Sequence, residues 1–225
     1  MVSVKENLIE IEAGIQHAAE RAGRNKEDIN IIAVTKYVTI ERTREVISAG
    51  ITHLGENRNE GFLAKFEEIQ ADATWHFIGT LQTRKVKDII HHIDYIHSLD
   101  RKSLAKEINK RSEKKVPCFV QVNVSGEESK HGLAVEEVEP FIKELAEYEN
   151  IRVVGLMTMA PHFDNPEETR PLFKKLRLLR DHIKELHLDY APCEYLSMGM
   201  SNDYEIAIEE GATHIRVGTK LVGKE

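Results

Sequence analysis

Three short stretches of the chain carry residue types with chemistry to offer. The first, Ile29-Asn30-Ile31-Ile32-Ala33-Val34-Thr35-Lys36, is an apolar, β-branched run that ends in a lysine. Between helix-like segments such a run reads as a buried parallel strand, and ligands bind at the carboxyl ends of such strands. By alternation Ile32, Val34 and Lys36 share one face. A lysine partly desolvated there loses its proton more easily and can attack a carbonyl to form a Schiff base. A solvated lysine closing a strand is the plainer use of the same residue.

The second stretch, Ser197-Met198-Gly199-Met200-Ser201-Asn202-Asp203, leads from a strand into a helix. Ser201 or Asn202 is expected as the N-cap, with Glu205 three residues beyond Asn202, and such a turn presents backbone amides to an anion. The third, Ile215-Arg216-Val217-Gly218-Thr219, ends a strand in a tight turn. With Ile215 and Val217 facing outward, Arg216 points inward, where it must find an anion or a neutral acceptor because it cannot lose its proton. A ligand bearing an aldehyde, a basic ring nitrogen and a phosphate matches all three stretches, and pyridoxal 5'-phosphate is such a ligand. Helix capping, an ordinary turn and a structural ion pair are the competing uses of these residues.

The elements that must position them follow from periodicity. Ser3 and Glu6 form a capping-box signature ahead of Val4, Leu8, Ile11, Ile15, Ala18 and Ala22, an amphipathic opening helix that stops at Gly23. Strands are expected over about 29–35, 52–54, 74–78, 95–98, 118–124, 152–157, 194–197 and 213–217. Helices alternate with them, ending near 49, 69, 91, 111, 146, 186 and 210, the last two starting near 167 and 202. Regular alternation of eight strands with helices predicts an α/β fold, a single-domain (β/α)8 TIM barrel over residues 1–225 with an extra amino-terminal helix. Only residues 218–225 follow the last strand, too few for a full closing helix. The opening helix is therefore expected to cover the barrel near that gap.

Seven segments, in order and spacing, carry a resemblance. They are Ala33-Val34-Thr35-Lys36, Gly55-Glu56-Asn57, Trp75 to Gln82, His97 to Asp100, Gly155 to Met159, Leu196 to Asp203 and Arg216-Val217-Gly218. Together they resemble the pyridoxal phosphate homeostasis protein family over nearly the whole chain. The resemblance implies a barrel of the alanine racemase N-terminal type, shared with eukaryotic ornithine decarboxylases, that binds the vitamin B6 cofactor pyridoxal 5'-phosphate. It puts the Schiff-base lysine at Lys36, the phosphate at Ser201, Gly218 and Thr219, and an arginine facing the pyridine nitrogen at Arg216. Asn57, His76, Met157 and Ser197 are expected to line the same mouth as strand-end residues. Thr219 and Lys220 depart from the small or hydrophobic residues of the family pattern.

The resemblance further implies a carrier that holds the cofactor and releases or transfers it, with apo forms of pyridoxal phosphate-dependent enzymes as recipients, rather than a catalyst. An arginine at the ring nitrogen disfavours ring protonation and makes the ring a poorer electron sink. The related enzymes also carry a carboxyl-terminal β domain, whereas this chain stops soon after its eighth strand, and a racemase needs a second acid/base that the sequence does not offer. A racemase or decarboxylase of low activity is the competing reading. A cofactor-free Schiff-base aldolase acting on sugar phosphates is a third.

Composition narrows the remaining classes. With 31 Lys and Arg against 38 Asp and Glu, the formal charge of −7 gives no overall pull toward nucleic acid or an anionic membrane. Cys118 and Cys193 lie far apart in apolar runs, which argues for a reducing compartment and against a disulfide framework. His-Glu-x-x-His, Cys-x-x-Cys, Walker A and G-x-S-x-G spacings do not occur, so no metal is expected. The opening segment is too acidic for a signal peptide and no apolar run reaches membrane length. A cytoplasmic, monomeric protein is expected. Lys174, Lys175, Arg177, Arg180 and Lys184 read as a solvated helix face, and Lys130 and His131 as part of a surface loop.

Overall fold

A computed structural model describes residues 3–223. Strands β1 (Asn30–Val34), β2 (His53–Glu56), β3 (Thr74–Phe77), β4 (Tyr95–Leu99), β5 (Val116–Gln121), β6 (Ile151–Met157), β7 (Tyr195–Ser197) and β8 (His214–Val217) pair in parallel, in sequence order, and close into a barrel. The helices are α1 (Val4–Arg21), α2 (Ile40–Ser48), α3 (Asn59–Ile69), α4 (Val86–Ile89), α5 (Lys102–Arg111), α6 (Val135–Glu144), α7 (Arg170–Glu185), α8 (Tyr204–Glu209) and α9 (Thr219–Val222). The expected alternation is present. The helix expected to end near 91 is instead a 3-10 turn over Thr83–Lys85 followed by the single turn of α4.

The opening helix begins as its sequence signature requires. The Ser3 hydroxyl accepts from the Glu6 amide, and Glu6 Oε2 accepts from the Ser3 amide at 3.0 Å. Its apolar stripe, Val4, Leu8, Ile11, Ile15 and Ala18, is buried. That face lies against α8 and α9 beside the strand-eight seam, as expected for a cover over the short closing segment. Arg21 pairs with Glu205 at 3.1 Å and Glu209 at 2.6 Å, and Asn7 donates to the Leu221 carbonyl at 2.9 Å.

Two apolar layers result. The larger lies between strands and helices and takes in Leu54, Phe77, Ile96, Val120, Leu156 and Ile215 with the inner faces of the helices. The smaller lies inside the barrel, where Phe119, Val154 and Met157 pack with Tyr95 and Tyr195. Rings rather than branched aliphatics fill much of this interior: His97 stacks on Phe119 with centroids 4.2 Å apart, and His76 on Tyr95 at 4.7 Å.

Close strand packing explains one glycine. A Cβ on Gly155 would stand 2.2 Å from the Tyr195 carbonyl oxygen, and backbone cannot rotate away. Gly155→Ala is expected to force β6 and β7 apart and to cost about 1–3 kcal/mol, measurable as a lower urea midpoint at unchanged slope. The basic face of α7 is only partly solvated: Arg177 reaches Glu210 at 3.3 Å, and Arg180 pairs with Asp181 at 2.7 Å. Both cysteines are buried and free; burial pushes the thiols far above their ordinary range, Cys193 to about 12.

Candidate functional site

The first and last strands of the barrel lie side by side, pairing Ile32 with Arg216 and Ala33 with Val217. Their carboxyl ends therefore bring residues about 180 positions apart to one mouth. β1 stops at Val34, and Lys36 sits in the turn beyond it with an exposed side chain. This corrects the expectation of a partly desolvated lysine at the strand terminus. The strand ends one residue early, so the amine stands at the open rim, 4.8 Å from the centroid of the Tyr37 ring.

Below the rim the backbone is fixed by buried charges. Lys65 Nζ donates to the Thr35 carbonyl and, at 2.7 Å, to Glu56 Oε1; the Thr35 hydroxyl donates to the same carboxylate oxygen at 2.6 Å. Thr35, Glu56 and Lys65 are all buried. The peptide preceding Lys36 is thus anchored while its side chain is exposed.

Arg216 points inward, as alternation requires, and is buried. Its Nη1 donates to Ser197 Oγ at 2.5 Å and its Nη2 to the Thr158 carbonyl at 2.8 Å. Both anchors are neutral oxygens. Burial lowers its pKa to about 10, partly opposed by the Asp203 carboxylate, so it stays charged at neutral pH.

Two adjoining cavities, ≈ 390 and ≈ 200 Å³, open on this mouth and share Val34, Lys36, Met159, Met200 and Arg216. The larger is of small-molecule size. Ser201, Gly218 and Thr219 line it, and Asn57 lines the smaller. The loop after β7 and the turn after β8 meet where the Lys220 amide donates to Ser201 Oγ at 3.4 Å. Lys130 and His131 reach one cavity each, so the loop after β5 contributes to the wall of the mouth.

Three expected lining residues lie elsewhere. His76, Met157 and Ser197 are fully buried beneath the mouth. His76 is in the interior of β3, and the next inward position, Ile78, takes its place at the smaller cavity. Met157 belongs to the apolar cluster inside the barrel, and Ser197 acts from below by holding Arg216. The helix after β7 also starts later than expected: Asp203, not Ser201 or Asn202, occupies the N-cap position of α8, and its Oδ1 accepts from the Met200 amide at 2.6 Å. Ser201 and Asn202 are thereby left in the loop at the cavity wall.

The sequence profile of the alanine racemase N-terminal domain matches residues 7–225. A pyridoxal phosphate homeostasis protein of Aquifex aeolicus is 45% identical, covering 97% of each chain. The chain belongs to the pyridoxal phosphate homeostasis protein family. The solved structure of PipY from Synechococcus elongatus, with pyridoxal phosphate bound, superposes with a TM-score of 0.86 at 30% identity, covering 98% of this chain and 100% of that one. An alanine racemase of Clostridium difficile shares the fold at 18% identity and a TM-score of 0.74, over 97% of this chain and 56% of its own.

Within this pyridoxal phosphate homeostasis family member, sequence reasoning overlooked Met159 and Met200 at the cavity and assigned no role to His53, His97 and His214 beneath Arg216. The methionines fall inside segments already singled out, and their side chains needed only the inward parity of strand ends to be noticed. His97 opens a segment that carried the resemblance while His53 and His214 lie in none, and only the barrel register brings the three together.

These histidines make stability depend on acid. Burial holds His76 and His97 well below the ordinary imidazole range and His214 at about 3, with nearby His53 and Arg216 adding to the shift at His214. Unfolded, each titrates near 6.5, so the unfolded chain binds protons first as pH falls. Stability is then independent of these groups above about pH 7 and declines between about 6.5 and 3, by up to about 1.4 kcal/mol per pH unit for each histidine. Urea unfolding at about pH 7 and about pH 5 checks this; equal midpoints would contradict it.

Proposed function

We propose that the chain binds pyridoxal 5'-phosphate in the barrel mouth, holds it as a Schiff base on Lys36, and releases or transfers it to apo enzymes rather than turning over an amino acid. One arrangement carries this reading: an exposed primary amine, a buried, charged guanidinium, a serine hydroxyl and a Gly-Thr turn all open on one cavity. The donor set fits the cofactor. Lys36 supplies the amine for the aldehyde, Ser201, Gly218 and Thr219 supply donors for the phosphate, and Arg216 supplies only N–H groups to the ring nitrogen.

Lys36 would supply the amine that condenses reversibly with the aldehyde, one water leaving on capture and one being taken up on release, with no further reagent needed. When bound, the cofactor supplies a reversible carbonyl and an electron sink, which Arg216 weakens by disfavouring protonation of the ring. The fixed Thr35 peptide holds the lysine backbone, and the exposed rim gives water access for release. The S. elongatus relative solved with pyridoxal phosphate supports the reading.

The test is to titrate the cofactor-free protein with pyridoxal 5'-phosphate, reduce with borohydride and map the added mass. Mass on Lys36, followed in an unreduced sample by recovery of activity in an added apo enzyme faster than hydrolytic release into buffer, supports a carrier. Loss of the α-hydrogen or carboxylate from an added amino acid would establish catalysis instead.

A further inference from the structure

Inside the barrel a line of side chains runs from the floor to the site. His53 stands at the start of β2, half-buried, and its Nδ1 lies 2.9 Å from His76 Nε2. His76 Nδ1 lies 2.8 Å from His97 Nε2, and His97 Nδ1 lies 2.9 Å from Ser197 Oγ. Ser197 Oγ in turn takes the hydrogen bond from Arg216. Four contacts thus join the amino end of β2 to the guanidinium at the carboxyl end of β8.

The guanidinium gives this line a direction. It has five N–H groups and no lone pair to offer, so Ser197 must accept from it, which leaves the serine hydrogen for His97 Nδ1. A neutral His97 with a bare Nδ1 carries its proton on Nε2 and donates it to His76 Nδ1. His76 then donates from Nε2 to His53 Nδ1. This arrangement lets every polar hydrogen along the line find an acceptor; the reverse direction leaves the serine hydrogen without one inside the line. All three rings are then neutral Nε2–H tautomers.

We propose that Ser197, His97, His76 and His53 are positioning residues, a directional relay that orients the acceptor holding Arg216 and couples protonation of His53 at the barrel floor to the grip on Arg216 at the mouth. Protonated His53 carries a hydrogen on Nδ1, which meets the Nε2–H of His76. The conflict is removed only by reversing the tautomers of His76 and His97. Ser197 Oγ must then accept from both His97 and Arg216, and its own hydrogen is left with no acceptor in the line. Arg216 and protonated His53 therefore oppose each other, and by linkage each weakens the other equally.

Other groups face the line. Asp94 favours the charged form of His53, and His214 disfavours that of His76 and His97. Tyr95 stacks on His76, Tyr195 meets His214 edge-on, and Asp203 faces Arg216. Burial keeps the interior rings neutral, which the relay requires.

Nitrogen-15 NMR of the imidazoles in the cofactor-free protein tests this directly. At about pH 8, above the free imidazole range, His53, His76 and His97 are expected as Nε2–H tautomers; an Nδ1–H tautomer at His97 overturns the relay. Ser197→Ala cuts the line while leaving the Arg216 charge, and is expected to raise the titration of His53 by about one pH unit, as Arg216→Met does. A shift in Arg216→Met alone would mean coupling through the field, and would overturn the relay as well. Either variant failing to fold leaves the wild-type tautomers to decide. The consequence for the ligand rests on the proposed function: affinity for pyridoxal 5'-phosphate is expected to fall as His53 protonates, a step absent in Ser197→Ala. No binding at any pH would refute that function and leave the tautomer result standing.

Discussion

Lys36→Ala is expected to abolish the adduct fixed by borohydride while leaving the cofactor bound without a covalent link. The alanine removes the only atom proposed to join the aldehyde, yet leaves Arg216 and the Ser201, Gly218 and Thr219 wall in place. Charge-assisted hydrogen bonds of that kind are worth roughly 1.5–3 kcal/mol each, enough to keep a measurable dissociation constant. Lys36→Arg is the control for charge: it keeps the cation and cannot form the Schiff base. Absorbance and intact mass of the three proteins, each loaded and then reduced, give the result. Equal adduct on all three would place the covalent site on another lysine, Lys130 first, since it opens on the same cavity.

Lys65→Met is expected to be the most destabilising single change near the site. It leaves the Glu56 carboxylate, 1% exposed, without its cation and the Thr35 carbonyl without its donor. Removing one partner of a buried pair costs about 3–5 kcal/mol, a large part of the roughly 5–15 kcal/mol that stabilises a domain. The double change with Glu56→Gln is expected to recover part of that loss, because no unpaired charge stays behind. A double-mutant cycle by urea unfolding measures the coupling. If the single change costs under about 1 kcal/mol, water reaches the carboxylate and the pair is not a closed anchor. In a folded sample, a loosened Thr35 peptide also predicts slower capture of the aldehyde by Lys36.

The elements of the barrel were legible because the strands are buried on both faces and the helices on one, so apolar runs and helical stripes alternate plainly. The cover formed by α1 followed from its stripe and the short tail after β8. Boundaries were less legible. Strand one ends at Val34 rather than Thr35, and this alone moves Lys36 from a strand terminus to an exposed turn. The start of α8 shifted to Tyr204 because the Asp203 carboxylate takes the Met200 amide within the loop, which no capping pattern announced.

By itself the sequence determined the strand and helix alternation and the inward direction of Arg216, since each depends on local periodicity and parity. Membership of the family was also written there, in seven short segments in register. Only the tertiary structure decided that Lys36 lies in a turn beyond β1, that His76, Met157 and Ser197 lie under the mouth rather than in its wall, and that His53, His76 and His97 touch. Those contacts depend on the register between strands, which parity along one strand cannot fix.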